Sequence, residues 1–541
     1  MIFTRNNAEA KIKDYGEALL EITEVTLPDD VKAKDYRAEE EEPYVEFSKD
    51  MKFLNMTLKD SIILALQNNY DIRIAKLDPK IKEKEITVAK SEFDPTLKIT
   101  GNREVKEDPT VNQLVIGLGG VAKTSTSLRD TNTLQATIEK PIETGARFTL
   151  DFNLGIRSFS DPSPFSPLNP ESKSSIEVKI TQPLLKGAGI FYNRSKIYIA
   201  RNDKKKSISQ LKKTAIDVIS SVQDAYWELV KAIEELRVRN KSLESAKDLL
   251  RKNKIQVEVG TLAPIEVLVA EDGVAKKIDE IIEAENDIKN REDDLKLIMN
   301  LRNDSILSDA AIIPLDKASF EIKDVSLEES IKLALANRPE IIEQGLDIEN
   351  ARITVKQTRN QLLPKLDVEA GISYHGLAGN FGNSLDSVFS EQFQREFFGV
   401  TLEVPLGNRE ARSNYSKAKL EARQSVLNRN KIEQEIVVEV RTAVREIKKN
   451  VESIKATEKA RELAQARLEA EEKKFKVGRS TSLEVLRAQD NLTIAEGKAV
   501  KALVDYQKSL GDVDAKMGTI LEKNNIIIED EDLVVKEDLT P

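Results

Sequence analysis

Two long stretches without proline or glycine constrain this chain more than any other feature. One runs from Arg194 to Val259 and the other from Asn408 to Val477. Each spans roughly 65–70 residues, which is on the order of 100 Å of helix at about 1.5 Å per residue. Because ordinary globular helices are about 11–12 residues long, these stretches predict long, extended helices and not a compact globular domain.

The apolar residues within these stretches recur at heptad-like spacing, and Glu and Lys fill the other faces. Charged residues make up 33% of the chain and aromatic residues only 5%, which favours narrow apolar seams over a wide core. Two such helices must pack as a coiled coil to cover their seams. The clearest series is Ile436, Val440, Ala443, Ile447, Val451 and Ile454.

The chain also contains an internal duplication. Leu58–Asn68 (LKDSIILALQN) matches Leu327–Asn337 (LEESIKLALAN), and the same offset places Pro95 on Pro364. Such a register rarely persists by chance, so the sequence predicts two copies of one unit.

A second match lies further along each copy. Val259-Gly260 followed by Glu266-Val267-Leu268 corresponds to Val477-Gly478 followed by Glu484-Val485-Leu486. The offset is smaller here because the first copy carries a longer middle insert. We therefore predict an acidic N-terminal extension (1–52), a first repeat (53–315, tip near 260), a second repeat (316–525, tip near 478) and a C-terminal tail (526–541).

Each copy is predicted to follow one order of elements. An amphipathic helix begins after a candidate N-cap, Thr57 or Ser326, and ends before Pro95 or Pro364. Strands come next, then the long helix, then a turn whose glycine suits a left-handed backbone. A shorter helix returns from about Pro264 to Leu301 in the first copy and from about Ser482 to Leu521 in the second.

The strand regions alternate apolar and polar residues with a period of two, so each strand has one apolar and one polar face. The second copy offers two such strands. The first offers four between about Pro95 and Gln182, with a hairpin-like turn at Pro141–Gly145, so we expect an extra hairpin there. Ser158–Pro170 is predicted to be an exposed loop, and so is the Gly/Asn/Ser-rich segment after His375.

Alternation alone leaves two interpretations open, a half-exposed sheet in a soluble domain and a membrane barrel with a wet lumen. The long helices favour the barrel. Which strands of the first copy enter the membrane stays open.

Composition and motifs exclude several functional classes. The chain has no cysteine, which rules out disulfides and Cys-ligated zinc, and its single histidine, His375, is too little for a His-rich metal site. Its net charge of −10 comes from closely mixed acidic and basic residues, so nucleic acid is not an expected partner. We find no Ser/His/Asp set, P-loop or dinucleotide fingerprint, and expect no enzymatic activity and no cofactor.

Targeting signals are also missing from the sequence as given. No run approaches 18 consecutive apolar residues, and the first residues lack the apolar core of a secretory signal. Either the chain has been processed or trimmed, or the protein is not exported; we expect the first.

The order of elements resembles the TolC-like outer-membrane efflux family over roughly residues 53–525. The duplicated opening motif supports this, as do Thr181–Leu185 (TQPLL) and Glu403–Leu406 (EVPL), which stand where family members pass from barrel to long helix. The closing Met517-Gly518-Thr519 resembles the end of the family's last helix.

The resemblance implies a fold class and a set of partners. The fold would be mixed α/β, with long antiparallel helices in a coiled-coil barrel and antiparallel strands contributing to a trimeric transmembrane β-barrel. The homotrimer would sit in outer-membrane lipid, extend into the periplasm, and dock a periplasmic adaptor (membrane fusion) protein and an inner-membrane transporter. Transport through it would be passive, in efflux or type I secretion.

The two hairpin tips are the candidate docking sites that the resemblance implies. The alternative is that each glycine only makes a turn, which is compatible with docking. The residues concerned are Val259, Gly260, Thr261, Leu262, Val477, Gly478, Arg479 and Ser480.

A pore constriction is the second candidate site. Family members often carry acidic rings just inside the tip; Glu484 matches the first position, whereas Arg487 departs from the acidic pattern and could pair with Glu484. Three copies of Glu484 near one axis would attract cations. Glu266 is the counterpart in the first copy. The alternative for all three is an ordinary solvated helix charge.

Two other functions compete with the duct. A soluble coiled-coil scaffold would explain the helices but not the duplicated strands and tips. A periplasmic adaptor is disfavoured because adaptors carry one helical hairpin and this chain has two. The cargo and the partner pump are not readable from the sequence.

Overall fold

The computed structural model describes residues 53–111, 124–160, 168–301, 310–391, 393–529 and 532–535. The predicted N-terminal extension, 1–52, lies outside these residues.

The first part of the chain contains a helix pair, four strands and a long helical hairpin. The elements are β1 (Phe53–Met56), α1 (Leu58–Asn68), α2 (Tyr70–Lys90), β2 (Thr96–Val111), β3 (Thr124–Pro141), β4 (Arg147–Phe159), β5 (Glu171–Pro183), the one-turn α3 (Ile190–Asn193), α4 (Ser195–Glu258), α5 (Ile265–Met299) and β6 (Ala311–Pro314).

The second part repeats this plan with two strands. The elements are α6 (Leu327–Asn337), α7 (Pro339–Asn360), β7 (Lys365–Ala378), α8 (Phe381–Phe389), β8 (Gln394–Glu403), α9 (Arg409–Lys476), α10 (Ser482–Met517), the one-turn α11 (Ile520–Lys523), β9 (Ile526–Glu529) and β10 (Asp532–Val535). The β9–β10 hairpin falls in the segment expected to be a tail.

Each copy opens at the predicted N-cap. Thr57 forms a capping box with Asp60, and the Ser326 hydroxyl accepts a bond from the Glu329 amide. The single amphipathic helix predicted for each copy is wrong, because the helix breaks at Asn69 and at Arg338, where the backbone is extended.

The long helices confirm the reading of the proline- and glycine-free stretches. α4 has 64 residues and α9 has 68, and each packs along the helix that returns from its tip. The heptad series lies at the core of the second hairpin. Its buried members are Ile436, Val440, Ala443, Ile447 and Ile454, and Val451 is partly buried beside them.

One antiparallel sheet of six strands joins the two copies in the order β2-β3-β4-β5-β7-β8. Four strands come from the first copy, which confirms the extra hairpin. The loop predicted at Ser158–Pro170 begins later than expected, since β4 continues to Phe159; its centre, 161–167, lies outside the described residues.

The sheet has one apolar and one polar face. Paired residues face the same side, so Phe152 opposite Ile176 and Ile176 opposite Tyr374 form an apolar row. Asp151 opposite Glu177 belongs to the other face. This is the amphipathic sheet that the period-two alternation predicts.

The segment after His375 is not a loop, contrary to expectation. β7 continues to Ala378, and α8 then folds back over the apolar face at the end of the sheet remote from the long helices. The Ser384 hydroxyl lies 2.7 Å from that of Ser174. A Cβ at Gly376 would lie 1.9 Å from the Ser384 carbonyl oxygen, so only glycine permits this packing.

A short parallel pair, β1 with β6, ties the start of the first copy to the segment after its hairpin. No helix in the described part of the chain is both long and apolar enough to cross a membrane.

Candidate functional site

The tip of the first hairpin is a Schellman turn. The Gly260 amide donates to the Val257 carbonyl (2.9 Å) and the Thr261 amide to the Gln256 carbonyl (2.9 Å). These two bonds satisfy carbonyls that the helix end leaves free. Gly260 has φ +79°, a conformation that side chains oppose.

The tip of the second hairpin has the same geometry. The Gly478 amide donates to the Phe475 carbonyl (3.0 Å) and the Arg479 amide to the Lys474 carbonyl (2.9 Å), with φ +70° at Gly478. The predicted left-handed glycine is therefore confirmed at both tips.

The tip side chains divide into outward and inward groups. Val259 and Val477, at equivalent positions, are 72% and 70% exposed. Thr261 and Arg479 are exposed as well. The remaining two turn inward: Leu262 packs against the tip core, and the Ser480 hydroxyl donates to Glu471 (2.5 Å). Among the apolar side chains near each tip, the valine is the most exposed.

A buried polar junction joins the two hairpins just behind the tips. A carboxylate oxygen of Glu266, on α5, accepts a bond from the Ser482 amide at the start of α10 (2.9 Å). Asn253, on α4, donates to the Ser482 hydroxyl (2.7 Å) and to the Glu266 carbonyl (3.0 Å). Asn253 and Ser482 are fully buried. A negative side chain at a helix N-terminus is favourable. Glu266 therefore caps α10, the returning helix of the second hairpin.

Apolar packing supports this junction. Leu486, on α10, fits against Gly273, on α5, so closely that a Cβ at Gly273 would lie 2.8 Å from a Leu486 methyl. The surrounding cluster includes Phe475 and Val485. The two hairpins consequently behave as one packed unit near the tips.

A buried lysine forms a further link between the hairpins. Lys277, on α5, is 6% exposed and lies 2.7 Å from Asp490 on α10 and 2.9 Å from Glu280. Burial lowers the pKa of the Lys277 ammonium, but the hydrogen bonds to Asp490 and Glu280 outweigh it and raise the pKa above its usual value. Lys277 is therefore charged at neutral pH.

The two candidate constriction residues on α10 contact each other. Arg487 donates to the Glu484 carboxylate at 2.7 Å, and both side chains are partly open to solvent. Glu266 is separate from this pair because its carboxylate is engaged with Ser482. Among the described residues no group of His, Asp or Glu side chains is placed to hold a metal ion.

Sequence reasoning missed Asn253, Ser482 and Lys277. Their contacts join residues more than 200 positions apart, or depend on burial, and neither follows from a local pattern. The one available signal was a polar residue at a position expected to face the seam, such as Asn253 on α4.

Residues 144–301 and 330–519 match the sequence model of the family described as outer membrane efflux protein. The match covers more than half of the chain, and the chain belongs to the outer membrane efflux protein family.

Individual relatives agree with this assignment. The outer membrane protein TolC of Vibrio cholerae is 26% identical over 304 residues, which is 55% of this chain and 67% of that protein. A CusC structure superposes with a TM-score of 0.62 at 16% identity, covering 88% of this chain and 95% of that one. The CmeC channel of Campylobacter jejuni gives 0.59 at 17% identity, covering 86% of each chain. At these identities the structures show a shared fold.

The family assignment confirms the resemblance stated from the sequence. The protein is an outer-membrane efflux duct that extends into the periplasm. The soluble scaffold considered above does not account for this match.

Proposed function

We propose that the protein works as a homotrimeric, passive duct, and that its two hairpin tips dock a periplasmic adaptor coupled to an inner-membrane transporter. It would need no catalytic residues and no cofactor. The observation that carries the docking proposal is the pair of exposed valines, Val259 and Val477. A Schellman turn requires the glycine but not an apolar residue before it, so the valines point to a contact outside the chain.

Trimer formation is supported by surface that a single chain leaves uncovered. Apolar side chains remain exposed along the helices, among them Leu420 (67%) and Leu427 (59%) on α9 and Ile74 (61%) on α2. Exposed apolar side chains on two different helices are available to pack against further subunits. Copies of the same chain would supply those subunits.

Glu484 and Arg487 form the proposed constriction. In a trimer they would place three carboxylates and three guanidinium groups around one axis. Because each Arg487 contacts its own Glu484, the net field at the ring would be weak, and we expect only modest cation selectivity. Glu266 would act by holding the two hairpins together rather than by lining the passage.

Docking can be tested at the two valines. The double change Val259→Asp and Val477→Asp keeps both glycine turns but places charge where an apolar contact is proposed. Loss of a central interface contact costs about 2–4 kcal/mol, so cross-linking to the host's adaptor should fall by more than about tenfold, with export lost. The Val259→Ile and Val477→Ile pair, which keeps the apolar surface, is the matched control.

Trimer assembly and channel conductance should be unchanged in both pairs of variants. If the aspartate pair cross-links to the adaptor and exports as the isoleucine pair does, the tips are not the docking surface.

A further inference from the structure

The six-stranded sheet ends in two open edges, at β2 and at β8. We propose that each protomer contributes all six strands to the membrane barrel and that β8 of one copy pairs with β2 of the next. Six strands from each of three protomers close one barrel of eighteen. This inference rests on the proposed trimeric duct and goes beyond it, because it assigns the intersubunit contact.

Closure is required by the environment. An open strand edge in lipid leaves a row of backbone amides and carbonyls without partners, at several kcal/mol each. In a three-fold assembly the edge of one copy can be satisfied only by the opposite edge of its neighbour. The partner is thus a second copy of this chain.

Strand direction suits this pairing. Neighbours alternate throughout the sheet, so β2 runs away from the long helices and β8 runs back toward them. A contact between β8 and the next β2 is therefore antiparallel, like every other contact in the sheet. The even number of strands in each copy preserves the alternation around the barrel.

The two edges also continue the same apolar face. Leu97 and Ile99, on β2, are 63% and 65% exposed, and they belong to the face that continues through Ile138. On β8 the exposed apolar residues of that face are Phe398 (73%), Val400 (58%) and Leu402 (62%). Joining the edges near the helix end therefore brings Leu97 and Ile99 beside Val400 and Leu402 on one apolar face.

The register of the sheet gives the tilt that a closed barrel needs. Thr96 stands at the helix end of β2, and following its paired residues from strand to strand across the sheet leads to Phe397 on β8. The helix end of β8 is Glu403, six residues further along. This is a shift of six residues over five strand steps. At about 3.3 Å per residue and about 4.8 Å between strands, the strands tilt by about 40°. Closed membrane barrels have tilts of about 35–45°.

A rival arrangement keeps the β2–β3 hairpin outside the barrel and closes twelve strands through β8 and the next β4. In this structure β4 is paired with β3 along the whole length of β4, from Arg147 to Phe159. The rival therefore requires a complete pairing to be given up before the edge of β4 is free. The eighteen-stranded barrel requires no rearrangement.

The edges predict which residues meet. With the helix ends of β2 and β8 level, Thr96 faces Glu403 and Ile99 faces Val400. Residues that face each other must lie on the same side of the sheet, so the register can shift only in steps of two. The shifted pairs are Leu97 with Val400 and Ile99 with Leu402.

The native sequence has no cysteine, which allows disulfide trapping of the full-length protein in membranes. Ile99→Cys with Val400→Cys, together with the two shifted pairs, tests the β2–β8 contact. Leu150→Cys with Val400→Cys tests the rival. Facing strand residues lie within disulfide reach, so after mild oxidation at least one β2–β8 pair should convert most chains to covalent dimers and trimers that reduction dissolves. The rival pair should stay monomeric on the gel.

Absence of cross-links from all three β2–β8 pairs, or trapping by Leu150 with Val400, overturns the inference. Conductance of the same reduced preparations separates the two proposals. A conducting trimer without β2–β8 trapping refutes only the eighteen-stranded barrel, whereas a protein that neither trimerises nor conducts refutes the duct itself.

Discussion

Asn253 is fully buried at the point where the two hairpins meet, and its amide serves both of them. Leaving a buried amide without hydrogen-bond partners costs more free energy than a typical hydrogen bond contributes. At the scale of single residues, the tips therefore depend on a few hydrogen bonds as well as on packing.

Replacing Asn253 with Ala should loosen the tips selectively. Loss of its bonds to Ser482 and Glu266 should cost about 1–3 kcal/mol, and amide exchange near both tip turns should become about tenfold faster. Hydrogen–deuterium exchange of the intact protein measures this.

Asn450→Ala is the matched control, because Asn450 is also buried and donates to a carbonyl, that of Asp505 (3.0 Å), but on the second hairpin remote from the tip. Unchanged exchange at the tips of the Asn253 variant would contradict the role assigned to the junction.

At this scale, the sequence predicts features that are caused by residues close together in the chain and misses those caused by distant residues. Gly260 and Gly478 follow from the end of a helical pattern, since the turn geometry is set within six residues. The capping of α10 by Glu266 does not, because α5 and α10 meet only after both hairpins have packed.

At the scale of elements, both copies break their opening helix at the same place. The side chain of Asn69 donates to the Ile298 carbonyl (2.8 Å), and that of Arg338 makes a longer contact with the Lys516 carbonyl (3.5 Å), at the equivalent helix end in the second copy. Heptad and alternation patterns predicted the helices and strands themselves. The breaks were missed although Pro339, at the first position of α7, was an available signal.

The ion pair between Arg338 and Glu340 makes the stability of the structure around the second break depend on pH. Arg338 donates two hydrogen bonds to Glu340 (2.9 Å each) and one to Glu439 on α9 (3.0 Å). Burial alone would raise the pKa of the Glu340 carboxyl, but the bonds from Arg338 outweigh it and hold the pKa below its usual value. The ionised form is therefore favoured in the folded protein.

Because the pKa of Glu340 is lower in the folded protein, its ionised carboxylate stabilises the fold at pH values above the unfolded pKa of 4.5. This stabilisation is lost as the pH falls through the lower pKa of the folded protein. We expect Glu340→Gln to reduce the free energy of unfolding by about 2 kcal/mol at neutral pH. The difference from the native protein should shrink below pH 4.5.

Thermal unfolding followed by helical circular dichroism across this range measures the effect. Glu452→Gln, which removes an exposed pair with Lys455, should change little at any pH. A Glu340 variant that is equally destabilised at acid and neutral pH would show that the ion pair is not the cause.

At the scale of the whole molecule, duplication explains most of the architecture. Two copies give two hairpins with equivalent tips, and the extra hairpin of the first copy gives the sheet its six strands. The sequence indicated that hairpin but not its place in the sheet, because strand order depends on pairing between β5 and β7, nearly two hundred residues apart. The helix α8 was missed for a similar reason, since its packing on Ser174 and Gly376 involves no local pattern.

The most direct test of the account is conductance of the purified, full-length protein in planar lipid bilayers. Three copies that enclose one water-filled passage should give discrete channels with a constant unit conductance, from a species that runs as a trimer in mild detergent. A protein that inserts as a monomer, or that passes no ions across the bilayer, would contradict it.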